Sequence, residues 1–182
     1  MDTNILKAQL SSKLFPNPKH DGNTKLSSVL IIIYGMEPKI LMIKKAKNLH
    51  NHAGEIAFPG GRWTADDIDL LDTALRETEE EVGLTISRDD VVGQLGNVST
   101  LNSGFTITPF VCILDNIPKL KSNSEVESIF HIPLIPLLQT LDYDRDPNHQ
   151  SIQEMYVFTY NEKIVWGASA RILKQVVNRL AI

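Results

Sequence analysis

The stretch Leu71–Leu84, LDTALRETEEEVGL, leaves a folding chain little choice. At about 100° per residue, Ile68, Leu71, Leu75, Thr78 and Val82 form one helical stripe that a core must cover. Glu77, Glu80 and Glu81 stand at i, i+3 and i+4, on a face roughly opposite. Glu79 points elsewhere and reads as solvated. Thr64-Ala65-Asp66-Asp67 marks where the helix begins, with Asp67 as a helix-start residue, and Gly83 supplies a left-handed stop. For stability alone the acidic face is a poor choice. Each like-charge pair at this spacing costs about 0.2–0.5 kcal/mol. Each carboxylate near the helix end opposes the dipole by about 0.3–1 kcal/mol more. Arg76 is the only positive side chain nearby. Three convergent carboxylates are the hard oxygen ligands that Mg²⁺ or Mn²⁺ takes. A solvated acidic face has the same spacing, so the helix alone does not decide between the two.

What this helix packs on is also legible. Ser28–Tyr34 is apolar and rich in β-branched residues, the pattern of a strand buried on both faces. Gly35-Met36-Glu37-Pro38 turns it into a hairpin with Lys39–Lys44. Further strands are predicted at Val91–Leu101, Phe105–Leu114 and Val126–Ile132, with a hairpin of Met155–Tyr160 and Lys163–Trp166. Helices are predicted at Asn4–Leu14, Pro133–Leu141 and Ser169–Leu180. Strands, an inserted helix, more strands and a terminal helix make a mixed α/β sandwich, with sheet between helices. No repeat or long linker divides the 182 residues, so residues 1–25 read as an N-terminal helix and loop and residues 26–182 as a single domain.

Composition removes several functions. A formal charge of −4 argues against non-specific nucleic-acid binding, which asks for a basic excess. The single cysteine, Cys112, lies in an apolar run and has no disulfide partner within the chain. The N-terminus lacks the pattern of a secretory signal, and the apolar run Val29–Tyr34 is far short of the roughly 20 residues of a membrane span. The expectation is a soluble, cytoplasmic protein with neither nucleic acid nor membrane as partner.

Just before the helix stands Phe58-Pro59-Gly60-Gly61. Two glycines let a backbone turn tightly and approach a neighbour closely, and such loops often offer amides to phosphates. Gly61, Asp67 and then Arg76-Glu77-Thr78-Glu79-Glu80-Glu81-Val82-Gly83-Leu84 together resemble the signature box of the Nudix hydrolases. The box departs from the usual form in having Asp67 for Glu, one extra residue before Arg76, and Thr78 in an apolar slot. The longer interval is typical of the coenzyme A pyrophosphatase-like branch. That branch is also resembled upstream, in Leu41–Gly61 (LMIKKAKNLHNHAGEIAFPGG), although Lys45 and His50 replace two arginines. Similarity continues through Ser103-Gly104-Phe105, Thr108-Pro109-Phe110 and Glu125-Val126. It then runs through Ile132-Pro133-Leu134 to Trp166-Gly167-Ala168-Ser169-Ala170, and so spans about residues 26–175.

The resemblance implies a Nudix-type α/β/α sandwich with a mixed sheet, and metal-dependent hydrolysis of a nucleoside diphosphate linked to another group. Divalent metals suit that chemistry because they neutralise developing charge and acidify water. Carried onto this chain, it makes Glu77, Glu80 and Glu81 ligands of Mg²⁺ or Mn²⁺, with Glu77 and Glu81 the firmer pair. Glu80 is the alternative base, and Arg76 fixes the carboxylates by a salt bridge. Lys45, His50, Gly60 and Gly61 would meet substrate, and Glu125 or Glu127 would add a carboxylate. Lys44, Lys47 and His52 extend the basic approach to the glycine loop, although a solvated surface explains each of them equally well. A zinc pair at His50 and His52 lacks a third soft ligand. The leading substrate is coenzyme A. ADP-ribose, a dinucleotide or an altered nucleoside triphosphate are alternatives, as is a non-catalytic nucleotide-binding module. A homodimer follows by analogy only.

Overall fold

The computed structural model describes residues 2–17, 25–48, 53–100, 103–146 and 155–182. Strand β1 (Lys25–Tyr34) is the middle of the molecule. It turns into β2 (Lys39–Lys45), antiparallel with Ile33 opposite Ile40. On its other side it runs parallel to β7 (Phe105–Leu114) through ten paired residues, from Lys25 opposite Phe105 to Tyr34 opposite Leu114. Short strands β3 (Ile56–Ala57) and β4 (Gly60–Arg62) join β2 and β1 respectively. Strands β5 (Val91–Gln94) and β6 (Val98–Ser99) pair with β7, and β8 (Val126–Pro133) pairs with β2, all antiparallel. This is the mixed sheet the sequence predicts. A separate ribbon of β9 (Asp142–Tyr143), β10 (Tyr156–Tyr160) and β11 (Lys163–Val165) extends the predicted hairpin by one strand.

Alternation along the strands splits the core in two. Ile31, Ile33, Ile40, Met42, Val111 and Ile113 face one side. There they meet helices α1 (Thr3–Leu10), α3 (Leu134–Leu138) and α4 (Gly167–Leu180). Leu30, Ile32, Leu41, Ile43, Phe110 and Cys112 face the other and are covered by α2 (Leu70–Val82). Leu6 and Leu10 of α1 are fully buried, so the N-terminal helix shares the core. Among the described residues no helix is long and apolar enough to cross a membrane.

The sequence readings of helices α1 and α2 need correction. Helix α2 begins at Leu70, capped by Asp69, whose side chain accepts from the Asp72 amide. Asp67 is therefore not the helix-start residue. Ile68 lies outside the helix and is 83% exposed, so helical periodicity does not apply to it. Helix α1 stops at Leu10 and leaves Leu14 beyond its end.

Candidate active site

The acidic helix packs across β1 and β4, and that crossing sets the fate of each carboxylate. Glu81 falls on the flank that β4 covers and is 1% exposed. One of its oxygens accepts the Gly60 amide at 3.0 Å, and the other pairs with the Lys45 ammonium. Burial raises its pKa, against the pull of Lys45. Glu77 is partly buried, and its pKa is likewise raised by burial despite Arg76. Glu80 is the exposed member, reaching Arg76 at 3.2 Å. Glu79 points to solvent, as predicted, and accepts from the Thr85 hydroxyl.

Arg76 organises this group. Its Nε and Nη2 form a fork on Asp67 at 2.7 and 3.0 Å, while Nη1 reaches Glu77 at 3.0 Å and Glu80. Asp67 is nearly buried and also accepts from the Thr64 amide and the Thr73 hydroxyl. The Arg76 guanidinium chiefly holds the Asp67 carboxyl down at about 2. Sequence reasoning missed this clamp. The signal was present, since Asp67 stands in the acidic slot of the box nine residues before Arg76.

The two glycines are needed for different approaches. At Gly60, with φ +151°, a Cβ would lie 2.2 Å from the Ser28 carbonyl oxygen and 2.6 Å from the Val29 Cα. Gly60 thus lets β4 lie against β1. At Gly61 a Cβ would lie 2.3 Å from Cδ of Glu77. Gly61 therefore leaves room for a carboxylate, and the Gly60 amide points at Glu81 in this structure.

Lys45 reaches the helix because the β2–β8 register shifts between Lys44, opposite Ser128, and Lys45, opposite Val126. The step leaves Glu127 as an extra residue, and such bulges re-aim side chains. Lys44 takes Glu127 at 2.6 Å, and Lys45 takes Glu81. Ala46 donates its amide to the Glu125 carbonyl, and the Asn123 amide donates to the Glu81 carbonyl. The segment holding Glu125 thus abuts the end of α2. His50 and His52 lie outside the described residues.

Among the described residues no three carboxylate, imidazole or thiol groups converge as a finished metal cage. The donors still fit a hard divalent cation. They are all oxygen, Glu77 and Glu81 are partly desolvated, and the Lys45 ammonium already occupies a cation position on Glu81. An open cleft of about 530 Å³ lies elsewhere, lined by Ser99, Tyr156, Arg171 and Lys174 among others. It contains none of these carboxylates, and we assign it no chemistry.

Comparison with known proteins gives the family and the fold. The family model described as "NUDIX domain" matches residues 24–155. A protein of Yersinia pestis (strain Pestoides F) named "Uncharacterized Nudix hydrolase NudL" is 35% identical over 167 residues, covering 88% of this chain and 81% of its own. A protein of the same name from Yersinia pseudotuberculosis (serotype O:1b) matches equally well. Among solved structures, a MutT/nudix family protein from Enterococcus faecalis superposes with a TM-score of 0.62 at 16% identity, over 98% of this chain and 73% of that one. The NUDIX domain of Shewanella oneidensis NrtR, solved with ADP ribose, gives 0.59 at 17% identity, over 90% and 93%. At such identities the structures speak for the fold.

Proposed function

Because the chain belongs to the Nudix family, we propose that it splits coenzyme A at its pyrophosphate into 3′,5′-ADP and phosphopantetheine. As a Nudix pyrophosphohydrolase it acts on small nucleoside diphosphate derivatives. One observation carries the choice of substrate. The segment Leu41–Gly61, which resembles the coenzyme A branch, is wired into the acidic helix through Lys45 and Gly60 on Glu81 and through Gly61 against Glu77.

Nudix hydrolases generally require a divalent ion such as Mg²⁺ or Mn²⁺. Glu77, Glu80 and Glu81 would hold it here, where it would neutralise charge building on the pyrophosphate and acidify a water. The remaining work falls to the chain's own groups. Asp67 anchors Arg76, and Arg76 in turn holds Glu77 and Glu80 in place. The Gly60 amide orients Glu81. Glu80, the exposed carboxylate, orients the attacking water or accepts its proton. Lys45 and His50 receive the phosphates, whereas the glycine strand, with its Gly60 amide taken by Glu81 and Gly61 against Glu77, shapes the carboxylate site. Glu127 is engaged by Lys44, so Glu125 is the extra carboxylate to test first. We take residues 26–182 as the hydrolase domain, with helix α1 packed into the core on the face away from the site.

The test is a product assay with excess Mg²⁺ or Mn²⁺ and a chelator control. Coenzyme A, dephospho-coenzyme A, ADP-ribose, NADH and a nucleoside triphosphate are run in parallel. Chelator-sensitive release of 3′,5′-ADP from coenzyme A is expected to be the fastest reaction. Faster cleavage of another substrate replaces coenzyme A and keeps the hydrolase.

A further inference from the structure

We propose that Lys45 is an exchangeable internal counter-ion, neutralising Glu81 in the metal-free protein and leaving it when a divalent cation binds. The proposal rests on Glu81 as a metal ligand and on no choice of nucleotide. A carboxylate only 1% exposed needs a compensating partner, and Glu81 has two, the Gly60 amide and the Lys45 ammonium. They differ in kind. The amide belongs to β4, pinned along β1, and cannot leave without unpairing that strand. The ammonium sits on a four-carbon stem with rotatable bonds, and the Lys45 side chain is 15% exposed, so part of it already reaches solvent.

The backbone of Lys45 need not move. Its amide donates to the Glu55 carbonyl and its own carbonyl accepts the Gly54 amide, so only the stem has to swing. An ammonium in contact with Glu81 and a dication on Glu77 and Glu81 would crowd three positive charges into a partly desolvated space. The two cations are therefore alternatives. Metal affinity includes the work of displacing Lys45, and the displaced ammonium becomes available to an anionic substrate at the same opening. An arginine fork on Glu81 would resist that exchange more strongly, because its bidentate grip is harder to release.

The experiment uses Mn²⁺ alone, with no nucleotide. Free Mn²⁺ is followed by electron paramagnetic resonance during titration of the unaltered chain and of Lys45→Met. The variant is expected to bind Mn²⁺ about tenfold more tightly. Equal or weaker binding overturns the exchange while leaving the metal site standing. The unaltered chain gives a second measurement that survives a misfolded variant. Acylation of Lys45 by an amine reagent, read by mass spectrometry, is expected to speed up severalfold when Mg²⁺ is added, while exposed Lys119 stays constant. An unchanged Lys45 rate overturns the proposal. If Mn²⁺ does not bind the unaltered chain at all, the metal assignment falls and the proposal with it. Failure to cleave coenzyme A touches neither.

Discussion

Helices α2 and α4 are nearly the same length, 13 and 14 residues, and cover opposite faces of one sheet. Helix α4 buries Ala170, Ile172, Leu173, Val176, Val177 and Leu180, all apolar. Its last turn carries Arg179, which donates to the Gln94 and Leu10 carbonyls and complements the helix dipole. Helix α2 buries Thr73, Thr78 and Glu81 beside its leucines, and no basic residue stands in its last turn. In what it buries and in the charge of its last turn one helix follows the rules for stability, whereas the other breaks them where its carboxylates meet Lys45, Arg76 and the glycine strand. Local rules are expected to fail at functional sites, and the contrast singles out the candidate site without reference to any ligand.

The contrast is sharpest for the carboxylates. Glu77→Gln and Glu81→Gln are each expected to lower kcat/KM on the order of 10³-fold, about 4 kcal/mol of transition-state stabilisation. Unfolding free energy should change by less than about 1 kcal/mol for Glu77→Gln and fall by about 1–3 kcal/mol for Glu81→Gln, which leaves the Lys45 ammonium without its buried partner. Near-normal turnover with Mg²⁺ in both variants would falsify the metal assignment. On the other face, Leu173→Ala should lower stability by about 3 kcal/mol and leave kcat unchanged below the melting range. A large drop in kcat at full folding would erase the division between the helices.

Asp67→Asn should cost about 2 kcal/mol in denaturant titrations near neutral pH. The sign with pH is fixed. A carboxyl held near 2 when folded and at 3.8 when unfolded stabilises the fold above 3.8, and loses that contribution as pH falls through about 2. The variant should therefore be less sensitive to acid across that window than the unaltered chain, and parallel acid profiles would remove the Asp67–Arg76 clamp. Smallest is Gly61→Ala. Its Cβ displaces the movable end of Glu77, so kcat should fall about tenfold with stability nearly constant. A stability loss without a kcat effect would make Gly61 a purely structural glycine.

Patterns confined to neighbouring residues were readable in the sequence. The apolar run of β1, the limits of β7 and the glycine stop of α2 all follow from local composition. Val91–Leu101 reads as one strand because its residues favour one. The structure interrupts it after Gln94, where the Gly96 amide turns to the Gln175 side chain of α4. The start of α2 was blurred because Asp66, Asp67 and Asp69 are all plausible caps. In the site, the acids and glycines were visible as types and spacings. That Glu81 is buried and that Lys45 finds it, 36 residues away, depend on where β4 crosses the helix and on the bulge at Glu127. No local pattern encodes either.

The parallel pairing of β1 with β7 joins residues 80 positions apart along ten successive partners. Closing so long a loop is slow compared with forming the β1–β2 hairpin, so topology sets the order of folding. Phe110 and Cys112 of β7 lie in the core under α2, and that helix gains its full floor only after β7 docks. On the ribosome, the hairpin edge that β7 will cover stays open until residue 114 has emerged. Through that interval the carboxylates of α2 and their partners Lys45 and Gly60 have been made, but the floor that holds the helix in place is incomplete. The chain therefore acquires its chemistry late, and a slow step in sheet closure would appear in refolding experiments as a lag in activity behind the first formation of helix.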